Sequence, residues 1–374
     1  MELEATITER RRQTRGGIYR HIYKTKQFCT KQTLSHDLQL SLPTVYQNLK
    51  ELMDAGLIRY SGESQSTGGR KAMGLDIVPG ARVAAGVSVS KNHLRMLLAD
   101  LRLQELNYRE RKLEPYTSLS QLEDLLAQEL ELLLGDLNRE CLLGVGVALP
   151  GIISPDSRSL VFAPVLGLED LSLESLAAAI PYPVRFENDG NCGGFAQWFL
   201  QGGRQNIAYL SLENGVGGAV LLGGTPYEGD RLHSGEFGHL CVEPGGLLCS
   251  CGKRGCLEAY CTTRRIQKGL GISLEEFFSG VEDQVPEYCK LLDDMLRHIA
   301  IGVKNIRMVL DCDVILGGNL SEFLPPHMER LRRYAAEESP FPAGEDCLRL
   351  STLRKHSVPL GAALGFITEF LESV

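Results

Sequence analysis

The sequence predicts an α/β protein made of a small helical, basic head and a larger body of two α/β lobes. Three observations lead there. At 374 residues the chain is too long for one compact core. Its charge is unevenly divided, with twelve Lys/Arg against eight Asp/Glu in residues 1–80 and twelve more acidic than basic residues in the remainder. From residue 81 onward, short apolar runs ending in Gly or acidic turns alternate with helical stretches, as in α/β lobes that bind ligands at their strand ends. The expected boundaries are a head over 1–80, a first lobe over 81–200 and a second over 201–354, with a helix over 355–374 packing back on the first lobe. A basic head on an acidic body suits a polyanionic partner for the head, despite the net charge of −8.

Composition excludes several classes. No apolar run approaches the roughly 18 residues of a membrane span, and Met1–Arg15 is polar and basic without the apolar core of a signal peptide. We therefore expect a cytoplasmic protein with no membrane partner. Eleven scattered cysteines, an odd number, point to reduced thiols plus a metal site and away from a disulfide framework.

In the head, the sequence is helix-compatible from Thr8 to about Lys26, interrupted in propensity by Gly16-Gly17, and again from Thr33 through Gln39. A third helix follows Ser41, a suitable N-cap, with Pro43 in its first turn and Gly56 at its end. Val45, Leu49, Leu52 and Met53 recur at helical spacing and predict its buried face. Pro43, Thr44, Tyr46, Gln47 and Lys50 stay outside, with side chains suited to base edges and phosphates in a major groove. Residues 58–76 supply a β-type segment and a Gly/Ser-rich turn carrying Arg70 and Lys71, which reads as a basic wing. The string Leu40-Ser41-x-x-Thr44-Val45, Leu52-x-x-x-Gly56-Leu57-Ile58 and Gly68-Gly69-Arg70 resembles the winged helix-turn-helix at the front of ROK-family repressors.

In the body, Val83–Val89 and Leu94–Ala99 predict a hairpin, and Tyr116–Leu137 a helix. Gly144–Leu149, Val184–Phe186, Ile207–Leu212 and Asp313–Leu316 predict strands. The last three run into Glu187-Asn188-Asp189, Glu213-Asn214-Gly215-Val216-Gly217-Gly218 and Gly317-Gly318, which read as loops.

The most specific segment is Gly235-Glu236-Phe237-Gly238-His239 with Cys249-Ser250-Cys251-Gly252-Lys253-Arg254-Gly255-Cys256-Leu257-Glu258. His239, Cys249, Cys251 and Cys256 supply four ligands for a closed tetrahedral zinc site. With no open position for water, the zinc is expected to be structural. Cys241 and Cys261 read as small core residues.

The spacing His239-x9-Cys249-x-Cys251-Gly252-x3-Cys256-x-Glu258 resembles the signature of the ROK family (repressors, open reading frames and kinases), and the likeness runs over essentially the whole chain. It implies lobes of the actin-like ATPase/sugar-kinase (ribonuclease H-like) type with a sugar between them. By motif, the sugar hydroxyls would meet Asn188, Asp189, Glu236, His239 and Glu258. Carboxylates and an amide can pair with a ring of hydroxyls, while a zinc-bound histidine keeps its second nitrogen for one of them.

A ROK kinase would use the residue matching Asp189 as general base on the sugar, with glycine-rich loops and magnesium holding the phosphates. Where the kinases have G-x-D-x-G-G-T, this chain reads Gly86-Val87-Ser88-Val89-Ser90-Lys91-Asn92. Where they have G-T-G-x-G, it reads Glu213-Asn214-Gly215-Val216-Gly217, and Glu213 would repel a triphosphate by roughly a few kcal/mol. Asp189 survives but the phosphate loops do not, so no phosphoryl transfer is expected. Val165 stands where the family often carries Asn. The resemblance thus implies a sugar-responsive, operator-binding regulator of carbohydrate genes, at least a homodimer or homotetramer, with double-stranded DNA and a sugar or sugar phosphate as partners. The alternative is an ATP-dependent sugar kinase with Asp189 as base.

Overall fold

The computed structural model describes residues 7–25, 29–63, 73–114, 116, 118, 120–163, 166–203, 205–341 and 347–374. The head consists of α1 (Ile7–Lys24), α2 (Lys31–Asp37) and α3 (Leu42–Asp54), then an antiparallel ribbon of β1 (Ile58–Glu63) and β2 (Met73–Ile77). Ser41 starts α3 as expected, its Oγ accepting from the Thr44 N–H at 3.3 Å, and Gly56 leaves the helix at φ +68°. Val45, Leu49 and Leu52 are buried, but Met53 is only half-buried. Asn48 is buried as well, which apolar spacing does not reveal. Its amide donates to the Thr44 carbonyl at 2.8 Å, so its polarity is satisfied inside the helix. Arg70 and Lys71 lie outside the described residues.

The first body sheet is built from β3 (Val83–Val89), β4 (His93–Asp100) and β5 (Glu105–Lys112), then, beyond α4 (Ser120–Leu134), from β6 (Leu142–Leu149). A small sheet of β7 (Ile152–Ile153), β8 (Ser159–Ala163) and β9 (Leu168–Ser172) and the short α5 (Glu174–Ala178) lead into β10 (Val184–Asn188) and α6 (Asp189–Leu200). The strand order is β10-β6-β3-β4-β5, with β10, β6 and β3 parallel and both β3–β4 and β4–β5 antiparallel. No sequence pattern marks β5, a largely exposed, polar edge strand without apolar alternation.

The second sheet begins with β11 (Ile207–Leu212), β12 (Val216–Leu222) and β13 (Thr225–Pro226). After α7 (Leu257–Cys261), α8 (Arg264–Gln267), α9 (Leu274–Glu282) and α10 (Pro286–Leu310) come β14 (Asp313–Gly317), α11 (Met328–Glu338) and β15 (Leu348–Leu350). The order is β13-β12-β11-β14-β15. Val216-Gly217-Gly218, expected to be loop, opens β12, paired with β11 in the register Leu212↔Val216 to Ile207↔Leu221. The turn is thereby shortened to residues 213–215. The glycines serve close approach here, since a Cβ on Gly218 would lie 2.5 Å from both the Phe237 ring and the Tyr209 carbonyl oxygen.

The final helix, α12 (Ser357–Ser373), lies on β3 and β6 so closely that a Cβ on Gly86 would be 1.7 Å from the Pro359 carbonyl oxygen. α6 packs against α12 on one side and, through Phe195 and Trp198, against Ile207, Tyr209 and Leu221 of the second sheet on the other. The helix pair α6–α12 thus sits between the two sheets. At its far end α12 enters the core of the head, where Leu364, Ile367 and Leu371 share one buried cluster with Ile18, Tyr19 and Ile22 of α1. Arg12 Nε donates to the Ser373 carbonyl at 3.0 Å, and Arg20 Nη1 to the carbonyls of Leu371 and Glu372 at 3.1 Å each. Two cations of α1 therefore cap the negative end of α12. Gly16, a weak point for helix propensity, is the point of contact, where a Cβ would lie 2.5 Å from the Val374 carbonyl oxygen. Among the described residues no helix is long and apolar enough to cross a membrane.

Candidate functional site

Asn188 and Asp189 stand where β10 passes into α6. Asn188 caps the helix, its Oδ1 accepting from the Asn191 N–H at 2.9 Å while its Nδ2 donates to the Gly151 carbonyl at 2.8 Å. Asp189 Oδ1 accepts from the Gly190 N–H at 2.8 Å. Burial raises its carboxyl pKa to about 7, and the nearby charges of Glu213 and Glu236 push in the same direction. A neutral-pH equilibrium between acid and carboxylate is therefore built into this position.

The segment bearing Glu236 and His239 reaches the same place from the second sheet. Gly190 sits against the Gly218 carbonyl, where a Cβ would be 2.6 Å from the oxygen, and Gly218 in turn touches Phe237 and Gly235. The α6 turn, β12 and the 235–239 loop therefore converge. Glu236, exposed, precedes the 3-10 turn Phe237–His239.

His239, Cys249, Cys251 and Cys256 come together, with their ligand atoms all within 4.8 Å of one another. The Cys251 and Cys256 sulfurs are 3.8 Å apart, and Cys249 Sγ is 3.8 Å from His239 Nδ1. A tetrahedron with Zn–S near 2.3 Å and Zn–N near 2.05 Å has edges of about 3.8 Å and about 3.6 Å, so the donor set fits such an ion. Nδ1 faces the thiols, which leaves Nε2 for another partner. Cys261 is buried as expected, but Cys241 is exposed, paired in a backbone bridge with Cys256 at the surface of the loop.

Glu258 enters from the start of α7, buried, and its carboxylate is well engaged. Oε2 accepts from the Val216 N–H at 3.2 Å, and Oε1 from the Ser250 hydroxyl at 2.5 Å and Arg264 at 2.9 Å. Ser250 and Arg264 are the residues that sequence reasoning missed here. Ser250 lies between two predicted ligands, which was a usable signal, whereas nothing marked Arg264.

The two turns compared with phosphate loops are closed on themselves. The Ser90 N–H donates to the His93 carbonyl at 2.8 Å and its hydroxyl to the same carbonyl at 3.0 Å. The Glu213 N–H donates to the Gly215 carbonyl at 3.0 Å. Arg95 of β4, bonded through Nε to Glu110 at 3.0 Å, lies close enough to Glu213 for each to feel the other's charge. Glu110 also pairs with Lys355 at 2.9 Å, just before α12; against a partial desolvation that raises it, these two cations hold its carboxyl near pKa 2. Val165 lies outside the described residues.

On the head, Pro43, Tyr46, Gln47 and Lys50 are exposed along one side of α3. Thr44 is half-buried, and its hydroxyl is 2.8 Å from Ser41 Oγ, so it takes part in the cap.

Comparison with known proteins places this architecture in a family. Residues 84–367 match the ROK family, and the chain belongs to it. The xylose repressor of Bacillus subtilis (strain 168) is 26% identical over 357 residues, covering 92% of both chains. A ROK family transcriptional regulator of known structure, a homolog of the E. coli MLC protein, superposes over 97% of both chains with a TM-score of 0.76 at 20% identity. The shared fold thus includes the head. The ROK hexokinase of Thermus thermophilus covers 77% of this chain and 99% of its own, with a TM-score of 0.61 and 27% identity.

Proposed function

We propose that the chain is a sugar-responsive DNA-binding transcription regulator, a repressor of carbohydrate uptake or catabolism genes. In this reading residues 1–80 form a winged helix-turn-helix that presents α3 to the major groove. Residues 81–200 and 201–354 enclose a sugar contacted by Asn188, Asp189, Glu236, His239 and Glu258. The observation that carries the reading is the likeness to the B. subtilis xylose repressor over 92% of both chains, head included. Zinc held by His239 Nδ1, Cys249, Cys251 and Cys256 would have a structural role, fixing the loop that bears Glu236 and Glu258. The protein acts as a homodimer or homotetramer whose paired heads read a palindromic site. Sugar binding alters the cleft at the start of α6, and α12, packed on α6 and capped by α1, carries the change to the head. By linkage, operator DNA weakens sugar binding by the same factor.

Phosphoryl transfer has no place in this reading, which draws on Ser88, Ser90, Lys91 and Asn92 in the first turn and Glu213-Asn214 in the second where the kinases carry phosphate-loop residues. The kinase alternative draws on Asp189, whose pKa of about 7 suits a general base, and on the T. thermophilus hexokinase likeness. A mobility-shift assay with DNA from upstream of the protein's own gene, run against a panel of sugars and sugar phosphates beginning with xylose, tests the regulator. We expect one class of sugar to release the DNA. A coupled ADP-release assay tests the kinase, and turnover abolished by Asp189→Asn would reverse the assignment.

A further inference from the structure

The chain entering α2 is registered against the ribbon of the head. The Leu75 N–H donates to the Cys29 carbonyl at 2.8 Å, and Leu75 is paired with Tyr60 across β1 and β2. Thr30 then fixes the helix start through a reciprocal cap with Thr33, at 3.1 Å and 2.8 Å. Lys31 is thereby delivered beside two tyrosines. Its Nζ lies 4.1 Å from the centre of the Tyr46 ring and 5.4 Å from that of Tyr60. Both rings are exposed, at 54% and 41%.

Folding alone gives a poor account of this cluster. A lysine in the first turn of a helix opposes the helix dipole. Among the described residues no carboxylate pairs with Lys31, and its charge is supported by the tyrosine side chains, Tyr60 first. Tyr46 also belongs to the exposed row Pro43, Tyr46, Gln47, Lys50 at i, i+3, i+4 and i+7, and Arg59, next to Tyr60, is exposed too. Glu51 of α3 accepts from Gln47 Nε2 of that row at 3.5 Å and is balanced by Arg15 at 3.6 Å, so its charge is partly offset. What remains is a cationic face with a preorganised ammonium and phenol hydroxyls at its edge, complementary to a phosphodiester.

We propose that Lys31, held by Tyr46 and Tyr60, grips a DNA backbone phosphate, so that the nucleic-acid face extends from α3 onto the start of α2 and the edge of β1. The proposal rests on the reading of the head as a DNA-binding unit. A phosphate contact is independent of sequence, so it is testable without the operator.

The test is a fluorescence-anisotropy titration of the full chain with a labelled mixed-sequence duplex at a series of salt concentrations. Loss of one phosphate contact lowers the slope of log K against log [salt] by about 0.9. We expect that decrease for Lys31→Gln, its restoration in Lys31→Arg, and for Tyr60→Phe weaker binding with the slope unchanged. Thermal melting of each variant shows whether it is folded, and a purely structural role would move the melting temperature without moving the slope. A wild-type slope in Lys31→Gln overturns the grip while leaving the DNA-binding reading intact. Absence of duplex binding by the wild type overturns both.

Discussion

Asp189 shows how one residue type changes its chemistry with its surroundings. Its carboxyl titrates near 7 in the fold against 3.8 in its ordinary state, because it is desolvated beside Glu213 and Glu236. The folded protein therefore holds a proton that the unfolded chain releases, so stability falls as pH rises from about 4 to about 7. Asp189→Asn should flatten that part of the profile, by on the order of a few kcal/mol across the window, as measured by urea unfolding at both ends. If a sugar hydroxyl donates to this carboxylate it favours the charged form. Sugar binding at neutral pH should then release a proton, seen in calorimetry as a binding heat that depends on the buffer's ionisation enthalpy. The Cys3His centre belongs to the same scale. In the proposed zinc site Cys251→Ser leaves three donors, and we expect zinc found in the wild type by elemental analysis to be lost from the variant together with a lowered melting temperature. The gathering of these four side chains was legible in the sequence because a metal-ligand pattern demands particular side chains at close spacing. The partners of Glu258 were not, since Arg264 becomes one only when α7 and α8 fold beside the loop.

At the scale of elements, local signals worked where the element is held by local chemistry. α3 starts at Ser41 and ends before Gly56 because a cap and a left-handed glycine act within one helical turn. Ser41→Ala should cost about 1 kcal/mol of stability, read from denaturant midpoints, and should fray the turn that carries Pro43 and Thr44. Elements held by neighbours were misread or missed. Val216-Gly217-Gly218 has the composition of a loop, yet it is strand because β11 lies alongside and Phe237 occupies the space a side chain would need. β5 is polar because it is an edge strand, so no apolar period marks it. Gly16, inside α1, has no room for a side chain because α12 arrives there from the opposite end of the sequence.

At the scale of the molecule, α12 joins the candidate cleft to the head. It touches α6 near its start, where Gly361 meets the Cys192 carbonyl, and ends under Arg12 and Arg20. In the proposed regulator, replacing both arginines with alanine should loosen the docking of α1. We expect sugar affinity to persist in calorimetry while the sugar-dependent change in DNA affinity shrinks, measured as the ratio of duplex dissociation constants with and without sugar.

The sequence by itself determined the Cys3His set, the capped third helix of the head, the hairpin and strand positions of the body though not their ends, and the place of Asn188 and Asp189 after a strand, because each depends on residues close in the chain or on a motif that admits few substitutes. Only the tertiary structure decided that α6 and α12 lie between two sheets, that Ser90 and Glu213 use their own N–H groups, that Glu258 is tied to Ser250 and Arg264, and that Lys31 stands between two tyrosines. These features depend on groups distant in sequence, and their energetics come from shared burial and charge that no local pattern records.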